Sequence, residues 1–129
     1  CKVFSLLSLA RGKTMNDRPR QSIQAHAFMQ QLNEGIRAQG IESEGWRLLD
    51  SGAAIERRYA FKDFRSGFSF MTHMALFSER LDHHPTWTQD YNTLAVILHT
   101  HDLGGLSHLD LLWAIEAERA HYTKFMTLG

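Results

Sequence analysis

The sequence predicts an α+β domain: a four-stranded antiparallel sheet with three helices on one face, in the order α-β-β-α-β-β-α. Three observations predict it. Apolar residues recur at helical spacing in three separate stretches, two pairs of short β-branched or aromatic runs fall between them, and only a few residues separate the members of each pair.

The first helix lies between Ser22 and Gly40, where Ile23, Ala27, Phe28, Leu32 and Ile36 repeat at intervals of three to five and Gly40 closes the last turn. Two strands follow, one around Trp46 and Leu48 and one through Ile55, Tyr59 and Phe61, separated by the turn signal Asp50-Ser51-Gly52. Asp63 caps the second helix. That helix carries two apolar stripes, Phe64, Phe68, Met71 and Ala75 on one side and Phe70, Met74, Phe77 and Leu81 on another. A helix apolar on two sides is buried on two sides: one stripe packs on the sheet of its own subunit, and the other is covered either by a second copy of the same helix or by the first or last helix of this chain. Pro85 ends the helix, since it lacks an amide hydrogen and drives its predecessor out of the α region. Residues 86–91 and 93–101 read as strands, the second apolar enough for a well-buried one. Gly104-Gly105 closes the pair, and Ser107 caps a last helix carrying Leu109, Leu112, Trp113, Ala117 and Ala120.

With 129 residues the chain is one domain in size. Residues 1–20 differ in composition, with basic residues and serines and no acid before Asp17, so they are expected to be an N-terminal extension to a domain at 21–129, with Met15 as a natural start. Lysine plus arginine equals aspartate plus glutamate, 14 each, which removes the electrostatic footprint of direct nucleic-acid or anionic-membrane binding. Cys1 is the single cysteine, so no intramolecular disulfide forms; this suits a reducing compartment, and a cytoplasmic location is expected, which leaves room for a nuclear or organellar pool. No stretch approaches the roughly 20 apolar residues that span a bilayer.

The chemistry concentrates in one window. Five of the eight histidines, His83, His84, His99, His101 and His108, fall there with Glu79, Asp82, Asp102 and Asp110. Pairing of the strands brings these groups together. His83 and His84, being adjacent, point apart if extended, whereas His99 and His101 share a face if the strand runs through them. A carboxylate beside an imidazole fixes its tautomer and favours its cation, which suits proton transfer near neutral pH. Two other readings stand beside that one. His-x-His with carboxylates is an acceptable metal-ligand set, although no helical HExxH occurs, the only thiol is Cys1, and adjacent histidines rarely share an ion. Histidines also cap strands and hydrogen-bond in loops without any chemistry.

The segment Glu79-Arg-Leu-Asp-His83-His84-Pro85, followed by Tyr91, His101 and Asp110 at set intervals, resembles the signature of the pterin-4a-carbinolamine dehydratases. Gly45-Trp46, Phe61-Lys62-Asp63-Phe64, Thr100-His101-Asp102 and Gly105-Leu106-Ser107 extend the similarity over about residues 25–125. Leu103 stands where some members have cysteine, and His99 is outside the signature, so it reads as structural or peripheral.

The resemblance implies an enzyme that removes water from 4a-hydroxytetrahydropterin to give quinonoid dihydropterin, recycling the tetrahydrobiopterin used in aromatic amino acid hydroxylation. His83, His84 and His101 would surround the reacting C4a–N5 edge. His84 and His101 are the main proton-transfer candidates, with His83 orienting the ring or sharing that role. Glu79 and Asp110 would orient imidazoles or bind polar pterin edges, Asp82 and Thr100 would line the substrate site, and Pro85 and Trp46 would shape its walls. Because the N5 lone pair itself expels the C4a hydroxyl, no metal, nucleophile or redox cofactor is implied. Subunits would pair by sheet edges and then by the second helix, residues 63–81, into a homotetramer. A second class of function is implied too: a binding module or transcriptional coactivator that docks on the dimerisation helices of a homeodomain transcription factor, without direct nucleic-acid or membrane contact.

Overall fold

A computed structural model describes residues 22–125 apart from Glu44, so the expected extension over 1–20 lies outside the described residues. The chain runs α1 (Ala25–Ala38), β1 (Arg47–Leu49), β2 (Ala54–Ala60), α2 (Phe64–Leu81), β3 (Thr86–Asp90), β4 (Thr93–Leu98) and α3 (His108–Ala120). This is the predicted order and class. The four strands lie in the order β1-β2-β4-β3, every neighbour antiparallel, with Tyr59 opposite Leu94 and Trp87 opposite Val96. The strand alternation decides which face is covered. Ile55 and Tyr59 of β2 and Leu94, Val96 and Leu98 of β4 are buried in one cluster with Phe28, Leu32 and Ile36 of α1, Phe70 and Met74 of α2, and Trp113 and Ala117 of α3. Each large apolar side chain fully buried this way contributes about 1.5–3 kcal/mol.

Capping follows the local sequence. The Asp63 carboxylate accepts the Ser66 amide at 2.8 Å, and that bond holds its carboxyl below the usual carboxylate range. Ser107 and Asp110 form a capping box at the start of α3.

Several expectations are corrected. The first helix starts at Ala25: Gln24 is extended (φ −62°, ψ 145°), and before it the Ile23 amide donates to the Leu106 carbonyl at 2.8 Å. The third strand stops at Asp90. Tyr91 turns the β3–β4 hairpin with φ of 51°, a left-handed conformation that a non-glycine residue rarely adopts; the Gln89 side chain holds its carbonyl at 2.6 Å. The fourth strand ends at Leu98 and is buried on one face only. Beyond it Thr100 makes a single bridge to Gly105, and His101 opens a short helical turn, so His99 and His101 do not share a strand face.

The two stripes of α2 differ in burial. Phe70 and Met74 are fully buried and Leu81 nearly so, all within this chain's own core, while Phe64 and Phe68 of the other stripe are 45% and 54% exposed and its Met71 packs partly buried against the core. The stripe from Phe70 to Leu81 therefore packs on this chain's core, and of the other stripe the first turns, at Phe64 and Phe68, face outward. Pattern alone does not distinguish them, since both are apolar at the same spacing.

Candidate active site

Where α2 ends, the chain must leave the helix sharply. Asp82 takes the left-handed conformation (φ 52°, ψ 45°), and the amides of Asp82 and His83 return to the carbonyls of Glu79 and Ser78. Aspartate tolerates that conformation better than most side chains. The chain then runs extended into Pro85, so His83 and His84 diverge as the sequence predicts: His83 is 4% exposed and buried, His84 exposed.

His83 is tied down by a residue 27 positions away. Its Nε2 lies 2.7 Å from Asp110 Oδ1, and both side chains are buried. The other oxygen, Asp110 Oδ2, accepts the Thr100 hydroxyl at 2.7 Å and the Ser107 amide at 3.0 Å. Asp110 thus caps α3 and holds His83 with the same carboxylate. His84 Nε2 meets Glu79 Oε2 at 2.6 Å on the surface, an i,i+5 pair across the helix end.

These residues converge. A cavity of about 160 Å³ at the end of the sheet is lined by His83, His84, Thr86, His99, Thr100, His101 and Asp102. All three expected proton-transfer histidines reach it. Among the other expected site residues, Thr100 lines the cavity but is buried and gives its hydroxyl to Asp110. Glu79 reaches the cavity wall through His84, and Asp82 and Pro85 shape the turn that delivers the two histidines. His99, read from sequence as peripheral, is in the cavity wall, its ring centroid 5.8 Å from that of His101. The signal that could have found it is its position two residues before His101 at the end of the longest apolar strand. Among the described residues, no group of three or more His, Cys, Asp or Glu side chains is arranged to hold a metal ion.

Trp46 is placed elsewhere. Expected in the pocket wall, it is buried and donates its indole N–H to Glu118 Oε2 at 3.1 Å, near the C-terminal end of α3. Glu118 also accepts the Tyr59 hydroxyl at 2.5 Å and pairs with Arg57 Nε at 2.9 Å. Burial pushes the Glu118 carboxyl up, but Arg57 and the Tyr59 hydrogen bond outweigh it and leave the carboxyl below its usual range. Burial and the Glu118 charge together raise the Tyr59 phenol. Sequence reading singled out neither Arg57 nor Glu118, since one arginine in a strand and one glutamate in a helix carry no local signal.

The family described as pterin 4 alpha carbinolamine dehydratase matches residues 29–120. A Mesorhizobium japonicum protein assigned by name to the pterin-4-alpha-carbinolamine dehydratases is 42% identical over 89 residues, covering 69% of this chain and 89% of its own. The Drosophila melanogaster pterin-4-alpha-carbinolamine dehydratase is 43% identical over 90 residues, covering 67% of this chain and 47% of that protein. Among solved structures, a transcriptional coactivator/pterin dehydratase from Brucella melitensis superposes with a TM-score of 0.58 at 42% identity, over 67% of this chain and 87% of that one.

Proposed function

This chain belongs to the pterin-4a-carbinolamine dehydratase family, and we propose that it dehydrates a 4a-hydroxytetrahydropterin to the quinonoid dihydropterin and water, so returning the pterin for reduction. The observation that supports this reading is the meeting of His83, His84 and His101 on one cavity wall, with His83 held by a buried carboxylate. In the reaction the N5 lone pair forms the C=N bond as the C4a–O bond breaks. Hydroxide is a poor leaving group, so an imidazolium must give it a proton while a neutral imidazole takes one from a ring nitrogen. His84 and His101 suit this transfer: both are exposed side chains that line the cavity. Glu79 orients the first of them. No step calls for a redox cofactor or a metal.

The test is a dehydration assay on freshly made 4a-hydroxytetrahydropterin. His84→Ala and His101→Ala should each lose about 10²- to 10⁴-fold in rate with normal folding. His→Gln at either position should fail likewise, because glutamine hydrogen-bonds without ionising. Wild-type turnover in both alanine variants would overturn the proton-transfer assignment.

For the proposed tetramer, the surface of α2 that a second copy would meet is its exposed side. Phe64, stacked on Phe68 at 5.8 Å between centroids, and Leu76 present the apolar surface that a second copy would cover. Sedimentation of Phe68→Glu should give a smaller species than the parent, and a parent that sediments as a monomer at micromolar concentration would remove this part of the reading.

A further inference from the structure

The hydroxyl groups behind His83 form a chain whose proton directions are fixed. Thr100 has one hydroxyl proton, and it is donated to Asp110 Oδ2. The hydrogen bond between the Thr100 and Ser107 hydroxyls must then take its proton from Ser107. Ser107 Oγ in turn accepts the Leu109 amide at 3.2 Å, a backbone donor with no second orientation. Every proton in the line from Leu109 through Ser107 and Thr100 points toward Asp110. The carboxylate also accepts the Ser107 amide, so Oδ2 is occupied by two donors and Oδ1 is left to His83.

A carboxylate fed in this way presents a lone pair to the imidazole, and His83 must answer with an N–H at Nε2. Its other ring nitrogen, Nδ1, is the one not engaged by Asp110. We propose that Thr100 and Ser107 are positioning residues for the dehydration: their hydroxyl relay locks Asp110, which fixes the proton of His83 at Nε2 and leaves Nδ1 as the ring nitrogen that Asp110 does not engage. The inference rests on the dehydratase reading for its effect on rate, and on the hydrogen-bond geometry alone for the tautomer. It also gives physical content to the cavity's shape. His84 and His101 are exposed, and the buried third histidine is held at Nε2 by a carboxylate whose own donors solvent does not reach: Thr100 is 2% exposed, Ser107 and Asp110 are fully buried. The cavity therefore presents one histidine fixed in orientation and two exposed ones. Because Ser107 and Asp110 are also the capping box of α3, the start of that helix and the register of His83 are set by the same atoms.

Long-range proton–nitrogen NMR of the uniformly labelled protein reads the tautomer of each histidine ring directly. His83 should appear as the Nε2–H form in the wild type, and an Nδ1–H form there would overturn the proposal without any variant. Thr100→Val removes the hydroxyl at nearly constant volume. It should mix the His83 tautomers and lower kcat about tenfold while changing KM less than about twofold. Thr100→Ser should restore both the tautomer and the rate. If Thr100→Val does not fold, Ser107→Ala takes its place, and its Thr100 hydroxyl, freed from its donor, should broaden the same ring signals. A folded Thr100→Val with wild-type kcat and an unmixed His83 signal overturns the relay, and so does a folded Thr100→Ser that fails as the valine does. A wild-type protein with no dehydration activity overturns the dehydratase reading, and the tautomer measurement then still decides the relay.

Discussion

Helix α3 carries a buried carboxylate near each end, Asp110 in its first turn and Glu118 in its last, about 12 Å apart along the axis. The first sits where the helix dipole favours negative charge and needs no cation: an imidazole, a hydroxyl and a backbone amide satisfy it. The second sits where the dipole opposes it, and the arginine of a neighbouring strand has to neutralise it. This difference separates their roles. Glu118 joins the helix to Arg57 and Tyr59 of β2 and to Trp46 before β1, closing the core on that side. Asp110 faces the end of the sheet where β4 has stopped, and the group it holds opens on a cavity. Of two buried carboxylates on one helix, the cation-paired one braces the fold and the histidine-paired one holds a side chain of the candidate site.

The sharpest way to break this comparison is to remove each carboxylate in turn. Glu118→Ala strands the Arg57 guanidinium together with the Tyr59 and Trp46 donors, so urea unfolding should show a loss of about 3–5 kcal/mol. Its kcat per folded molecule should stay near the parent's. Asp110→Asn should reverse that balance. The asparagine amide sets N–H groups against donors at one of its two positions, whichever way it is turned, and the misplaced tautomer of His83 should reduce kcat about 10²-fold. A stability loss in Asp110→Asn as large as that in Glu118→Ala, with kcat preserved, would erase the distinction between the two ends.

The smallest effect is in pH dependence, and it belongs to the Glu118 end. His121 follows α3, packed on Tyr59 at 4.8 Å and Phe61 at 5.5 Å between ring centroids, and its Nε2 is buried with no hydrogen-bond partner among the described residues. Burial and the nearby Arg57 charge lower its imidazole below the ordinary value of 6.5, with Glu118 opposing. A depressed folded value means that stability is complete above 6.5 and is lost as the pH falls below it toward the folded value. Glu118, also depressed, adds a second loss that begins only below its ordinary 4.5. Urea midpoints measured from neutral pH downward should therefore fall in two stages, and His121→Phe should remove the first while keeping the second. A single stage in the wild type would show that His121 is not held neutral by its surroundings.

Much of the molecule is legible from local physics. Helices at apolar spacing, Asp63 and Ser107 as caps, Pro85 as a stop and the divergence of His83 from His84 depend on interactions within a few residues, and all appear in the structure. The similarity around His83, His84, His101 and Asp110 was equally local, because it is a matter of spacing along the chain. Tertiary structure decided the rest. The choice of Phe70 and Met74 over Phe64 and Phe68 as the buried stripe of α2 depends on where the sheet lies, since both stripes satisfy the same periodicity. The end of β4 at Leu98, and with it the place of His99 in the cavity wall, depends on the turn that Thr100 closes with Gly105. Trp46 reached the Glu118 end across 72 residues of chain, and Asp110 reached His83 across 27. Hydrogen bonds between groups so far apart leave no periodic trace in a sequence, because a buried polar atom is satisfied by whichever partner the packing of the core brings within about 3 Å.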